Sequence, residues 1–374
     1  MMASFLPVFE QSMETKRIVV GMSGGVDSSV AALILRREGH HVSGMFMRNW
    51  DHEDPDTPCP AKQDALDALS VCGHLDIELD AVNFTQAYWD RVFNYFLDEL
   101  KKGRTPNPDI LCNKEIKFKA FLEHALAQGA EKIATGHYAR VEEKNGQFYL
   151  LKAKDHNKDQ SYFLHAISQH ALANSVFPLG QLEKPQVRKL AEEAGLPTFA
   201  KKDSTGICFI GERQFNTFLQ RYLPNQPGEI RALDGAVVGQ HQGLMYYTLG
   251  QRKGIGIGGT QSGSGQPWFV VEKDLERNVL WVVQGDHERL YSSRLDASDL
   301  NWINGAPPAK TFECTAKTRY RQPDQACRAD VNEDGSLQVA FAERQRSVTP
   351  GQSVVLYAGD ICLGGGIINK TYRN

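Results

Sequence analysis

The chain has 374 residues, 41% of them hydrophobic and 23% charged, with a net charge of −3. That is the composition of a globular protein long enough for two or three domains, and its near-neutral balance gives no global attraction to nucleic acid, so RNA binding would need local basic patches. No apolar run reaches membrane-spanning length, and seven cysteines, odd in number and without a C-x-x-C pair, argue against a disulfide framework and for a reducing cytoplasm.

Met1 to Lys16 has no basic segment followed by a long apolar run, so it reads as a flexible extension and not a signal peptide. Arg17 to Gly21 is a short β-branched run, and Val30, Ala31, Leu33 and Ile34 then recur at helical spacing. Between them stands Gly21-Met22-Ser23-Gly24-Gly25-Val26-Asp27-Ser28-Ser29. A strand, a glycine-rich turn and a helix N-terminus make an anion cradle. Gly24 and Gly25 permit positive φ and close approach, and the N–H groups of turn and helix face a phosphate. Ser23, Ser28 and Ser29 add hydroxyls, and Asp27 could orient a metal ion or a nucleophile. No Lys follows the glycines, which excludes a Walker A loop, and their spacing is not G-x-G-x-x-G. The remaining pattern, S-G-G-x-D-S, resembles the PP-loop of ATP pyrophosphatases, which cleave ATP between the α and β phosphates and use the AMP to activate an oxygen.

Farther on, the pattern predicts a strand at 41–47, a helix at 60–71 with Ala61, Ala65, Leu69 and Cys72 at helical spacing, and a strand at 76–82. Helices at 87–100 and 116–127 follow, the second with Phe118, Phe121, Leu122 and Leu126 inward, and then a strand at 132–135. Alternation of this kind implies an α/β parallel sheet with helices on both faces and a ligand crevice beyond the carboxyl ends of the strands. Ser23 to Ser28, Met47, Gly136 and His137 would surround that crevice, with Gly136 where a Cβ would block a nucleotide. Residues 141–151 read as a β-hairpin around Asn145-Gly146. Helices are predicted near 168–173, at 185–194 between Pro185 and Gly195, and at 214–222. After Leu223-Pro224 the texture becomes β: one module to about Gly285, another from Tyr291 to Asn374 with a strand at 354–357, and a flexible glycine-rich loop at 254–265.

Two further stretches carry chemistry. In Asn107-Pro108-Asp109-Ile-Leu-Cys112-Asn113, the prolines at 106 and 108 bar a helix before Asp109. A helix starting there puts Asp109 and Cys112 on one face, with Cys112 in the first turn, where the dipole and nearby Lys114 and Lys117 favour thiolate. The bland alternative is a buried small hydrophobe. In Lys201-Lys-Asp-Ser-Thr-Gly-Ile-Cys208-Phe-Ile-Gly211, a second cysteine follows a polar turn with two lysines. Two cysteines in electropositive settings suggest thiol transfer: one carries sulfur as a persulfide, and the other attacks it and is left in a disulfide. The metal readings are a zinc site, for which paired spacing is missing, and a cluster on Cys112, Cys208 and Asp109. Cys72 reads as core, and Cys314, Cys327 and Cys362 as structural.

Over nearly its whole length the chain resembles the MnmA/TrmU family of tRNA-specific 2-thiouridylases. The matching stretches are 21–28, Thr-Pro-Asn-Pro-Asp-Ile-Leu-Cys-Asn-Lys at 105–114, Ala-Thr-Gly-His-Tyr-Ala-Arg at 134–140 and Lys-Asp-Gln-Ser-Tyr-Phe-Leu at 158–164. Ser-Thr-Gly-Ile-Cys-Phe-Ile-Gly at 204–211 and the 247–259 stretch complete them. The 1–16 extension is not part of the pattern; the resemblance implies a PP-loop (adenine nucleotide alpha hydrolase-like) catalytic domain at 17–213, a small central tRNA-binding domain at 214–288 and a C-terminal β-barrel domain at 289–374. It implies ATP, with Mg²⁺, on Gly21, Met22, Ser23, Gly24, Gly25, Val26, Asp27 and Ser28, with Met47 and Gly136 beside the adenosine. The O2 of the wobble uridine is adenylated, pyrophosphate leaves, and sulfur replaces AMP. Cys208 carries the persulfide, Cys112 is the nucleophile that ends in a Cys112–Cys208 disulfide, and Asp109 is the general acid/base. Asn107, Pro108, Asp109, His137, Lys158, Asp159, Gln160, Tyr320, Arg321 and Gln352 match tRNA-contact positions. The implied partners are tRNAs for Lys, Glu and Gln and a cysteine desulfurase, directly or through sulfur-relay proteins; an iron–sulfur cluster is the other cofactor weighed. The rival readings are a PP-loop amidotransferase, which would survive loss of both cysteines, a tRNA-binding protein with ATP as a structural ligand, and a redox sensor.

Overall fold

A computed structural model describes residues 14–50, 60–203, 215–257 and 265–373. A parallel sheet begins the chain: β1 (Arg17–Gly21), β2 (His41–Arg48), β3 (Leu79–Asn83), β4 (Lys132–Ala134), hairpin strands β5 (Ala139–Lys144) and β6 (Gln147–Lys152) that leave the sheet, and β7 (Ser175–Val176). Its order is β3-β2-β1-β4-β7. The chain winds outward from β1 through β2 to β3, then returns to β4 on β1's other side. The order therefore reverses between β1 and β4, which is where such sheets bind ligands. Ile18, Val19 and Val20 are buried, as a strand covered on both faces requires.

The helix Pro60–Leu75 buries Ala68, Val71, Cys72 and Leu75, and leaves Leu66 and Leu69 more than half exposed. Leu69 was expected inward. Space decides otherwise: a Cβ on Gly44 of β2 would lie 2.9 Å from the Cys72 Sγ, so only small side chains fit where this helix meets the sheet. The third strand starts at Leu79 because Asp76, at φ 51°, is in a left-handed turn. The helix expected at 116–127 is one continuous helix from Pro108, α-helical over Pro108–Leu111, wider and π-helical over Cys112–Phe121, and α-helical again over Leu122–Ala127. The two-residue β7 has too little sequence to announce itself. The helix near 185–194 is Lys184–Glu193, opened by a Glu183/Gln186 capping box and followed by Gly195 at φ 64°.

Four strands, β8 (Gly228–Ala232), β9 (Val237–His241), β10 (Trp268–Asp274) and β11 (Val279–Gln284), form the central sheet. β12 (Tyr291–Trp302), β13 (Thr311–Lys317), β14 (Gln325–Val331), β15 (Leu337–Arg346), β16 (Ser353–Ala358) and β17 (Ile361–Tyr372) close into a barrel through β12–β17 pairing. The β5–β6 hairpin, read from sequence around Asn145-Gly146, joins this barrel: Leu151 pairs with Ile361 and Leu150 with Cys362. The buried Lys152 Nζ reaches Asp324 and, at 3.1 Å, the Gly359 carbonyl. Two apolar cores cross between modules. One runs from Trp50, Phe93 and Cys112 to Ile230, Val270 and Leu280 of the central sheet. The other runs from Phe118, Phe121 and Leu150 to Val355 and Tyr357 of the barrel.

Two outcomes follow from this packing. Lys152→Met leaves Asp324 short of its closest cation, and a loss of about 2 kcal/mol is expected in chemical denaturation. His165 is buried where the hairpin region meets the barrel, with Nδ1 donating to the Tyr162 carbonyl at 2.8 Å, and burial holds its imidazole down to about 4. A histidine depressed below its unfolded value of about 6.5 contributes stability above that pH and loses it as pH falls toward about 4. The denaturation midpoint should drop across that window, and His165→Asn, which keeps an N–H for Tyr162, should flatten the drop.

Candidate functional site

The glycine-rich turn leaves β1 at the point where the strand order reverses. Met22 and Val26 turn into the core, Ser23 is exposed, and Asp27 is half-buried in the first helical turn. The turn is held by its own serines: Ser23 N–H donates to Ser28 Oγ (3.2 Å), and Ser28 and Ser29 hydroxyls donate to the Gly25 carbonyl (3.1 and 2.8 Å). Gly24 has φ +70°, and a Cβ there would lie 2.3 Å from the Asp64 carbonyl oxygen of the adjoining helix. Lys201 ties the same two elements, donating to the Gly24 carbonyl (2.9 Å), Asp64 (2.7 Å) and Asp67 (2.5 Å). Gly136, past β4, is also obligatory, for a different reason from the one expected. A Cβ there would lie 2.7 Å from the Asp27 carbonyl carbon and the Ser28 nitrogen, so it would strike the turn itself. Met47 is buried, its methyl 3.2 Å from where a Gly21 Cβ would be.

Asp27 sits in a charged network that local sequence gave no sign of. Lys184 Nζ donates to both its oxygens (2.8 and 2.9 Å), and the Tyr138 hydroxyl donates to Oδ1 (2.8 Å). Burial and the Asp27 charge push the Tyr138 hydroxyl far up. Lys184 also pairs with Asp203 (2.7 Å), which binds Lys158 (2.8 Å) and Arg188 (2.9 Å). Burial would raise the Asp203 carboxyl, but hydrogen bonds from Lys158 and Lys184 outweigh that and hold it at about 2. Asp27 thus accepts three hydrogen bonds, two on Oδ1 and one on Oδ2, and among the described residues no three His, Cys, Asp or Glu side chains form a metal-holding group. Tyr138 lay inside a quoted motif. Lys184 carried no signal, because its partner is 157 residues away.

Asp109 and Cys112 share the helix that starts at Pro108. Asn107 caps it, Oδ1 accepting the Asp109 N–H at 3.1 Å, and Pro108 holds the first position, where no N–H is needed. Cys112 lies one position beyond the first turn, where the helix widens, and it is fully buried within the Trp50–Phe93 core. The dipole argument for a first-turn thiol is weaker there. π-helical turns are rare and recur at functional sites. Farther along this helix, Phe121 packs beside Gly21 and Phe118 lies 5.7 Å from the His137 ring, so one helix runs from the Cys112 region to the glycine-rich turn. Buried Asn113 donates to the Phe163 carbonyl at 3.1 Å, while its Oδ1 has no hydrogen-bond partner among the described residues. Cys208 lies outside the described residues.

The expected RNA-contact residues divide into two kinds. His137 is buried against Thr135 Oγ1 (2.8 Å), and burial, with Lys117 nearby, drives its pKa well below the ordinary value, leaving it neutral. Asp159 is buried and accepts from the Ala153 and Ser161 backbones (3.0 and 3.1 Å) and the Ser161 hydroxyl (2.9 Å). Gln160 Oε1 accepts the Tyr138 N–H (2.9 Å), Lys158 faces Asp203, and Gln352 donates to the Thr105 carbonyl (2.7 Å). In the turn after β13, Arg319 is locked onto the Leu249 and Ser347 carbonyls, the Tyr320 ring lies 4.4 Å from that of Phe163 and tilted 45° to it, and Arg321 is exposed.

Family comparisons cover most of the chain. The model described as "tRNA methyl transferase HUP domain" matches residues 16–212, "tRNA methyl transferase PRC-barrel domain" matches 216–284, and "Aminomethyltransferase beta-barrel domain" matches 292–368. The tRNA-specific 2-thiouridylase MnmA of Nitrosomonas eutropha is 61% identical over 360 residues, 96% of this chain and 100% of that one. The protein of the same name from Halalkalibacterium halodurans is 59% identical over 361 residues, 96% of each. Among solved structures, the U34-tRNA thiolase NcsA from Methanococcus maripaludis has 17% identity and a TM-score of 0.33, over 57% of this chain and 69% of that one. On the near-full-length identity to these relatives, the chain belongs to the family of tRNA-specific 2-thiouridylases.

Proposed function

We propose that the protein is an ATP-dependent sulfurtransferase that converts the wobble uridine of tRNA to 2-thiouridine. The observation that carries this reading is the S-G-G-x-D-S turn at the sheet's reversal point, served by the same helix that begins with Asp109 and Cys112. ATP lies with its phosphates on residues 21–28, and its adenosine near Met47 and Gly136. Uridine O2 attacks the α-phosphorus and pyrophosphate departs, which turns a poor leaving oxygen into AMP. Sulfur then adds at C2 and AMP leaves. Cys208 bears that sulfur as a persulfide, Cys112 attacks it, and a Cys112–Cys208 disulfide remains for reduction. Asp109 moves the proton at the base. The half-buried setting of Asp109 supports this, because an adenylate must be kept from water. The tRNAs for Lys, Glu and Gln are the substrates, and a cysteine desulfurase, directly or by relay, loads Cys208. Exposed Arg321 and the Tyr320 ring support an RNA-facing turn on the barrel.

The reading is tested by transfer of labelled sulfur from cysteine and a desulfurase into unmodified tRNA. Wild type should label the wobble uridine, and Cys112→Ser and Cys208→Ser should not; label with both serine variants would mean that the two cysteines are dispensable and that the donor delivers sulfide directly. Asp109→Asn should lower the rate about 100-fold or more. Gly136→Ala forces the turn backbone aside, so ATP affinity measured by calorimetry should fall at least 10-fold while tRNA binding holds. Unchanged ATP affinity would remove residues 21–28 as the phosphate site.

A further inference from the structure

Cys314 and Cys327 face each other across two strands of the barrel. They are direct partners in the antiparallel register of β13 and β14, and their sulfurs lie 3.5 Å apart as free thiols. Residues opposite each other in such a pair have Cα atoms about 4.5–5.5 Å apart, inside the roughly 4.4–6.8 Å that a disulfide spans. Forming the bond therefore needs the two side chains to turn until the sulfurs are about 2.0 Å apart, with the ladder left in place. The other described cysteines lie in other cores: Cys72 against β2, Cys112 among Trp50 and Phe93, and Cys362 opposite Tyr357.

The two thiols differ. Cys314 is half-buried, whereas Cys327 is 3% exposed, and its hydrogen bond with Cys314 together with burial pushes its thiol far up. Cys314 is thus the sulfur that an external reagent meets, and Cys327 the one placed to resolve what forms there. The position in the sheet gives such a bond something to hold. β16 pairs with β13 at Thr315, Ala316 and Lys317, so Thr311 to Cys314 have β14 as their one partner strand among the described residues. The cysteine pair stands at the step where β13 loses its second neighbour. The turn joining the two strands carries Tyr320 and Arg321.

We propose that Cys314 and Cys327 are a reversible redox site of the barrel, oxidised to a disulfide by low-molecular-weight disulfides of the glutathione class. Cys314 gives its proton to solvent, its thiolate attacks one sulfur of the reagent, and the first small thiolate departs and is protonated. Cys327 then attacks the Cys314 sulfur of the mixed disulfide, and its proton leaves with the second small thiol. Two cysteine thiols and one small disulfide give one protein disulfide and two small thiols, so the two electrons lost by the cysteines reduce the reagent. In a reducing medium the pair stays as two thiols. On oxidation the bond pins Thr311 to Cys314 onto β14, at the base of the hairpin that carries Tyr320 and Arg321. The site uses neither Cys112 nor Cys208 and stands apart from the proposed thiolation.

The test holds the full-length protein in oxidised or reduced glutathione, alkylates it and maps its peptides by mass spectrometry. Wild type should give a peptide pair linked through Cys314 and Cys327 in oxidised glutathione, and two alkylated thiols again after transfer to reduced glutathione. Cys327→Ala should stop with glutathione on Cys314. Cys314→Ser, which changes the less buried position, should leave Cys327 unmodified. Oxidation should slow amide hydrogen exchange at residues 311–316 at least 10-fold in wild type and leave it unchanged in Cys314→Ser; that comparison subtracts any effect of oxidation at Cys112 or Cys208. Three results in oxidised glutathione would each overturn the proposal: Cys314 and Cys327 of wild type recovered as thiols, Cys314 held as a lasting glutathione adduct or linked to another cysteine, or a linked pair without slower exchange at 311–316.

Discussion

The glycine-rich turn is wedged between two backbones with no room for a single methyl group at either contact. Gly24 meets the Asp64 carbonyl on one side, and the Asp27–Ser28 peptides meet Gly136 on the other. Everything near the crevice takes its position from this wedge. The helix Pro60–Leu75 must present small residues to β2, the turn after β4 must begin with glycine, and Lys201 bridges the turn to Asp64 and Asp67. A turn clamped in this way has lost its conformational freedom on folding, before any ligand is present.

The modules are not beads on a string. Fully burying one large apolar side chain is worth roughly 1.5–3 kcal/mol, and the shared cores place several such groups from each side together. Phe121 and Tyr357 lie in one, and Phe93 and Leu280 in the other. Interfaces of this kind behave as interior, not as hinges. Cys112 itself lies in a core shared with the central sheet. A change in β10 or β11 is therefore felt at the thiol through packing alone.

The sequence was most readable where function compressed chemistry into a few adjacent residues. The S-G-G-x-D-S turn between strand and helix and the Asn145-Gly146 hairpin each carry a local physical reason, and each is found where that reason put it. What was hidden depends on distant partners. The hairpin's neighbour is Ile361, and no pattern within 139–152 announces a strand two hundred residues later. The Leu69 error came from counting apolar residues without knowing how closely Gly44 lets the helix approach. Lys184 and Tyr138 became part of the site only when the fold brought them to Asp27. The continuity of the helix from Pro108 through Ala127 hid behind a wide π-helical stretch, whose period blurs the usual 3.6-residue signal.

Around the glycine-rich turn, a chain of net charge −3 gathers cations. Lys158, Lys184, Arg188 and Lys201 all stand near the turn, and each is balanced by Asp203, Asp27, Asp64 or Asp67. These pairs hold each cation in place beside the turn. A phosphate at the proposed site would exchange one anion for another at cations the fold already holds in pairs. Asp27 is the carboxylate most exposed to that exchange, because it belongs to the turn itself and is held by the same Lys184 that binds Asp203. Any shift of Lys184 toward a phosphate loosens its hold on Asp203, five residues before Cys208 in the sequence. Charge at the turn and the start of the Cys208 segment are thereby joined through one ammonium group.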